Sequence, residues 1–168
     1  MKKQTSQFKS KARRTLKSDF SKNSQTYVLD TSAVINKFIP NLIRKGLKGK
    51  LIIPNAVMAE LENMANKGRE EGFIGLEEVA NLHKIKNHYK IQVYFYGNRP
   101  NEMQIKFAKS GEIDAVIREI ARENNAVIIT SDLVQAKTSQ AYGISVLFLR
   151  VKAPEIKKKT FFNFWKKK

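Results

Sequence analysis

The 168-residue sequence has no cysteine, only two histidines and only four prolines. The absence of cysteine excludes disulfide bonds, zinc sites built from thiolates and cysteine nucleophiles, and it fits a reducing compartment. No apolar run approaches the length of a membrane span, and the first 24 residues lack the apolar segment of a signal peptide. We therefore predict a cytoplasmic protein without a membrane-spanning segment.

Acidic residues are few, with 15 Asp and Glu against 32 Lys and Arg, and the excess charge is concentrated at the two ends. Residues 1–24 and residues 150–168 each carry +7 of the net +17, so the segment between them is nearly balanced. We predict a flexible basic arm over 1–25, a globular domain over 26–150 and a basic, aromatic tail over 151–168. Basic arms suit phosphate contacts. The predicted nucleic-acid-binding residues are Lys9, Lys11, Arg13, Arg14 and Lys17.

The tail contains an aromatic cluster between two groups of lysines. Phe161, Phe162, Phe164 and Trp165 have the spacing of one helix face. Three interpretations compete: base stacking, a membrane-surface anchor and docking to a partner domain. We favour docking, because a terminal apolar cluster usually marks an interface.

Short β-branched and aromatic runs alternate with longer helix-like segments over most of the balanced region. This pattern predicts an α/β domain with a mainly parallel sheet of about five strands, covered on both faces. The five runs are YVLD, KLIIP, KIQVYFYG, AVIITSD and ISVLFLR. Helix start and stop signals predict helices over about 31–45, 55–67, 76–87, 101–109, 112–123 and 133–142.

Four acidic residues lie where a strand ends or a helix begins: Asp30, Glu60, Asp114 and Asp132. The carboxyl ends of parallel strands share one edge of a sheet, so three of these acids converge by topology. Glu60 lies deeper in its helix, and topology alone does not place it. Clustered carboxylates favour a hard cation such as Mg²⁺, whereas helix capping is the ordinary alternative for each acid alone.

Seven other glutamates are predicted to lie on solvent-exposed helix faces, where nearby Lys and Arg side chains screen their charge. These residues are Glu62, Glu70, Glu71, Glu77, Glu78, Glu119 and Glu123.

The segments LDTS, PNAVMAEL, GEIDAVI and IITSD, in this order, resemble the PIN domain, a fold of metal-dependent nucleases. The longer segments AELENMANKGREEGFIGLEEV and RPNEMQIKFAKSGEIDA resemble the amino-terminal PIN module of archaeal proteins that also carry a P-loop ATPase domain and a KH domain. The resemblance implies a three-layer α/β/α fold. It also implies a metal-dependent ribonuclease, and a non-catalytic RNA-binding or assembly module is the alternative.

The resemblance also implies roles for individual residues. Asp30, Glu60, Asp114 and Asp132 would be catalytic and would hold Mg²⁺ or Mn²⁺. The hydroxyls of Thr31, Ser32, Thr130 and Ser131 would support these carboxylates, and helix capping is their alternative role. Single-stranded RNA is the expected substrate.

The motif GxxxxGK[ST] is absent, so this chain has no P-loop of its own. KKKTFFNFW resembles the segment that joins the PIN module to its ATPase. This resemblance is compatible with a stand-alone remnant, one part of a split protein or a piece of a longer chain, and an ATPase or KH-containing partner would contact the tail. A homo-oligomer is also compatible with the sequence.

Overall fold

The structure is a computed structural model that describes residues 25–107 and 111–151. The five basic residues predicted to bind nucleic acid, from Lys9 to Lys17, lie outside the described residues, and so does the aromatic cluster of the tail. Within the described part of the chain, no helix combines the length and hydrophobicity that a membrane crossing requires.

Five parallel strands form one sheet, which confirms the predicted fold class. Their order across the sheet is β3-β2-β1-β4-β5. The strands are β1 (Gln25–Leu29), β2 (Gly49–Pro54), β3 (Gln92–Tyr96), β4 (Val127–Thr130) and β5 (Val146–Phe148). The helices are α1 (Thr31–Ile35), α2 (Phe38–Arg44), α3 (Asn55–Asn66), α4 (Glu70–Tyr89), α5 (Glu102–Phe107), α6 (Glu112–Glu123) and α7 (Leu133–Ala141).

The strand order divides the sheet into two halves that are wound in opposite directions. Parallel strands are joined by right-handed crossovers, so the connections to β2 and β3 cover one face and those to β4 and β5 cover the other. This arrangement gives the three-layer α/β/α fold. The direction of winding reverses between β1 and β4, and ligand sites form outside the carboxyl ends of the strands at such a reversal.

The three central strands supply the core. Val28, Leu29, Leu51, Ile128 and Ile129 are fully buried. Each such side chain contributes about 1.5–3 kcal/mol relative to an exposed one. Because both faces of these strands are covered, their sequences are continuous apolar runs and do not alternate between apolar and polar residues.

The predicted helix over 31–45 is in fact two helices. The chain breaks at Lys37, which adopts the left-handed conformation with φ 54° and ψ 34°. In one continuous helix the ring of Pro40 would clash with the carbonyl group of Asn36, four residues earlier. A new start at Phe38 places Pro40 in the first turn of α2, where proline is tolerated.

Helix α4 begins at Glu70, six residues earlier than the predicted start at Leu76. Gly72 and Gly75 are poor helix formers, so the sequence pattern excludes this segment from a helix. The structure uses both glycines to bring α4 close to α3. A β-carbon at Gly72 would lie 2.3 Å from the backbone nitrogen of Ala65 and 2.7 Å from the carbonyl oxygen of Leu61.

The prediction that Glu78 lies on an exposed helix face is wrong, because α4 packs against α1 and α2 as well as α3. Glu78 is only 5% exposed, and its Oε1 atom has no hydrogen-bond partner among the described residues. Burial raises the pKa of this carboxyl group, although Asn81 and the charges of Lys37 and Arg44 oppose the shift.

We expect Glu78→Gln to raise the free energy of unfolding at pH 7 by about 1 kcal/mol, since it removes a buried charge. The pKa of Glu78 is higher in the folded state than in the unfolded state, so its ionisation costs stability as pH rises through that interval. The gain should therefore disappear below about pH 4, where the carboxyl group is protonated in both states. Urea unfolding at both pH values measures the difference.

The matched control is the neighbouring and exposed Glu77, replaced by Gln. This variant should leave the free energy of unfolding unchanged at either pH. A Glu78→Gln protein less stable than the parent at pH 7 would contradict the expected cost of the buried charge.

Candidate active site

The candidate site lies at the carboxyl ends of β1 and β4, where the winding of the sheet reverses. Asp30 follows β1 directly, and its backbone N–H donates to the carbonyl oxygen of Ile129 in β4, at 3.0 Å. Asp30 is 4% exposed and Thr130, the last residue of β4, is fully buried. The first acid of the site is thus fixed by the two central strands.

The carboxylate of Asp30 accepts hydrogen bonds from two hydroxyl groups. Thr130 Oγ1 donates to Asp30 Oδ2 at 2.6 Å, and Ser32 Oγ donates to the same oxygen. These hydroxyls also accept from the backbone after β4: Ser131 N–H donates to Ser32 Oγ, and Asp132 N–H donates to Thr130 Oγ1, both at 2.9 Å. The side chain of Asp30 does not cap α1.

Glu60 joins the site through Thr31, the first residue of α1. Thr31 Oγ1 donates to Glu60 Oε2 at 2.5 Å, which connects α3 to the end of β1. The pKa of Glu60 is raised mainly by burial, the hydrogen bond from Thr31 lowers it, and the negative charges of Asp30 and Asp114 raise it. The structure thus brings to the site the acid that topology alone left without a position.

Asp114 and Asp132 lie at the amino ends of α6 and α7. Asp132 is exposed and caps α7, because its Oδ1 atom accepts from the backbone N–H groups of Val134 and Gln135 at 2.6 and 3.1 Å. Asp114 lies in the first turn of α6, and its pKa is raised by burial and then by the charges of Asp30 and Asp132, while Arg118 lowers it. The capping explanation therefore holds for Asp132 and fails for Asp30.

Burial, and then the nearby charge of Asp30, raise the pKa of Glu60 and that of Asp114, but the four carboxylates do not form a ready-made metal site. No group of three or more Asp, Glu or His side chains within residues 25–107 and 111–151 has an arrangement suited to hold a metal ion directly. Each of Asp30, Glu60 and Asp132 directs one carboxylate oxygen to hydrogen bonds within the protein. Their other carboxylate oxygen has no hydrogen-bond partner in the described part of the chain.

Gln135 and Arg118, which the sequence patterns did not single out, connect the helices of the site. Gln135 is 1% exposed; its Oε1 atom accepts from Arg118 at 2.7 Å, and its Nε2 atom donates to the carbonyl oxygen of Asp114 at 3.2 Å. Gln135 follows Asp132, and Arg118 follows Asp114, by about one helical turn. Many polar helix residues have such spacing, so it could not have identified these two. Asn36 also contributes, because its Nδ2 atom donates to Ser131 Oγ at 3.1 Å.

Comparison with known proteins gives a consistent family. The family model described as "PIN domain" matches residues 27–141. An uncharacterized KH and PIN-domain containing protein from Methanocaldococcus jannaschii is 45% identical over 130 residues, which cover 76% of this chain and 20% of that protein. The Holliday junction branch migration ATPase PINA from Sulfolobus acidocaldarius is 22% identical over 134 residues, which cover 80% of this chain and 25% of that protein.

Among solved structures, a domain of a functionally unknown protein from Methanocaldococcus jannaschii has 42% sequence identity and a TM-score of 0.73. The match covers 79% of this chain and 96% of that domain. The chain spans only about a fifth to a quarter of the curated relatives it matches.

Proposed function

The chain belongs to the PIN domain family, whose members are generally nucleases, and on this premise we propose that it is a metal-dependent ribonuclease that hydrolyses phosphodiester bonds in single-stranded RNA. One observation carries the proposal: Asp30, Glu60 and Asp114 come from three different elements, yet burial raises the pKa of both Glu60 and Asp114, and the nearby charge of Asp30 raises it further. Such mutual repulsion favours the binding of a cation.

The donor set fits Mg²⁺ or Mn²⁺. All four side chains offer carboxylate oxygens, the ligands that these hard cations prefer. The free oxygens of Asp30, Glu60 and Asp132 are available in addition to the hydrogen bonds already made. Asp30, Glu60, Asp114 and Asp132 would hold the cation, which would offset the negative charge that they bring together.

The residues of the chain have distinct tasks in this proposal. When bound, the metal would supply an activated water and neutralise charge that develops on the phosphate. Ser32 and Thr130 hold Asp30 in one orientation, and Thr31 does the same for Glu60. Gln135 holds the backbone of Asp114 and keeps Arg118 one turn away, where its charge is available to a phosphate. No protein nucleophile is required.

The test is incubation of the full chain with end-labelled single-stranded RNA in Mn²⁺, in Mg²⁺ and in a chelator. We expect cleavage with metal, none with chelator and recovery when Mn²⁺ is added back. Single-stranded DNA of the same sequence tests the preference for RNA. Cleavage that survives the chelator, or calorimetry that detects no uptake of either metal, would contradict the proposal.

A non-catalytic RNA-binding or assembly module is the second candidate. It is favoured by the absence of three converging acids within the described residues. In that case RNA binding should weaken steeply with salt and be independent of metal.

One relative is named as a KH and PIN-domain containing protein, and another is named as an ATPase. We propose that a separate ATPase or KH-containing protein is a partner of this chain. The tail over 151–168 is the proposed contact.

A further inference from the structure

Two helices lead away from the acidic site on the same face of the sheet. α6, with Asp114 in its first turn, lies in the crossover from β3 to β4, and α7, which begins after Asp132, lies in the crossover from β4 to β5 on the same face. Arg118 and Arg122 follow Asp114 by four and eight residues, so they lie about 6 and 12 Å farther along the axis and on one side of α6. Tyr142 directly follows α7.

These three side chains meet between the helices. The guanidinium carbon of Arg118 lies 5.7 Å from the centre of the Tyr142 ring, and that of Arg122 lies 5.9 Å from it. Tyr142 is nonetheless 62% exposed, and Arg122 is exposed as well. The surface therefore presents an accessible aromatic ring beside two permanent positive charges.

Arg118 connects this surface to the acidic site. Its Nη1 atom donates to the buried Gln135, which also binds the backbone of Asp114. Arg118 itself lies one helical turn beyond Asp114 on α6. Glu123, which follows Arg122 at the end of α6, accepts instead from the hydroxyl group of Tyr96 in β3.

The ordinary explanation is a clasp between α6 and α7, worth about 0.5–1 kcal/mol at an exposed position. A clasp needs only one cation over the ring. Here two arginines flank one ring that remains largely open, and this pairing of phosphate-binding groups with a stacking platform is what single-stranded nucleic acids require.

We propose that Arg118, Arg122 and Tyr142 form the surface along which single-stranded RNA enters the acidic site. This inference rests on the proposed ribonuclease function and assigns its substrate path. The arginines contact successive phosphates, and a base stacks on the exposed part of the Tyr142 ring. Stacking is tolerant of sequence because every base has an aromatic face, so this surface binds RNA without selecting a base.

Fluorescence anisotropy with a labelled RNA of about 16 nucleotides measures the affinity, and a chelator prevents cleavage during the measurement. Tyr142→Ala should weaken binding about tenfold, as expected for loss of one stacked base, whereas Tyr142→Phe keeps the ring and should bind like the parent. Arg122→Gln should reduce the slope of log affinity against log salt by about 0.7, the value of one phosphate contact.

Arg44→Gln is the matched control for charge, because Arg44 lies in α2 on the opposite face and donates to Asn41. This variant should keep the affinity and the salt slope of the parent. Thermal unfolding by circular dichroism verifies that each variant is folded. Parental affinity in Tyr142→Ala, or equal weakening by Arg44→Gln and Arg122→Gln, would overturn the assignment.

The outcomes also separate this surface from the ribonuclease proposal. Weakened binding in the Tyr142→Ala variant of a protein that never cleaves RNA would keep the surface and remove the catalytic function. Metal-dependent cleavage with unchanged binding by both variants would keep the catalytic function and remove the surface.

Discussion

Asp114→Asn is expected to lower Mn²⁺-dependent RNA cleavage by at least about 100-fold. Asparagine keeps the shape of the side chain but removes the charge and one anionic oxygen. A bound cation would stabilise the transition state by several kcal/mol, and asparagine would bind that cation less tightly. A rise of about 2.7 kcal/mol in the activation free energy lowers the rate 100-fold. The measurement is single-turnover cleavage of labelled RNA at saturating protein. Glu119→Gln, an exposed change on the same helix, should cleave like the parent.

The Asp114→Asn variant should not be less stable than the parent. The pKa of Asp114 is raised in the folded state, so its charge costs stability at neutral pH, and the amide removes that cost. Loss of cleavage together with an unchanged or higher unfolding temperature would identify a functional carboxylate. Parental cleavage rates in a folded Asp114→Asn protein would exclude Asp114 from the reaction.

Gly72→Ala is expected to produce the largest loss of stability, about 3 kcal/mol, at the upper end of the usual range for overpacking. The added methyl group would lie 2.3 Å from the nitrogen of Ala65 and 2.8 Å from the carbonyl carbon of Met64. Both are backbone atoms of the α3 helix, so no side-chain rotation relieves the clash and the two helices must separate. The gain in helix propensity, about 1 kcal/mol, is too small to compensate.

Gly75→Ala provides a graded comparison on the same helix. Its β-carbon would meet a terminal carbon of the Leu61 side chain, Cδ2, at 2.3 Å, and that carbon is able to move. Urea unfolding should therefore show a smaller loss for Gly75→Ala than for Gly72→Ala. The reverse order would show that the backbone contact between α3 and α4 is not the limiting one.

The sequence predicted the sheet because its signal is local. Each strand is a short apolar run bounded by polar or turn residues, and the parallel arrangement follows from alternation with helices. The break at Lys37 has a local cause in Pro40, whereas the start of α4 at Glu70 depends on contacts that are distant along the chain. Pro40 divides a predicted helix in two, whereas Gly72 and Gly75 lie inside a helix that is longer than predicted. Only the packing against α3 shows why these glycines belong there.

The candidate site was predictable to the extent that topology determines it. Asp30, Asp114 and Asp132 follow strand ends or begin helices, so their approach is a property of the fold. The position of Glu60 depends on how α3 crosses the sheet and on the hydroxyl of Thr31, neither of which has a sequence signature. The role of Gln135 depends on the spacing of α6 and α7 in space, and therefore a polar residue on a helix gives no signal of it.

Asp30 is bonded to β4 twice, by its backbone N–H to Ile129 and by its carboxylate to Thr130. The centre of the fold and the proposed catalytic centre thus depend on the same bonds. We therefore expect heat or denaturant to disrupt the β1–β4 pair and the proposed catalytic centre together, so that loss of activity and global unfolding occur in a single transition.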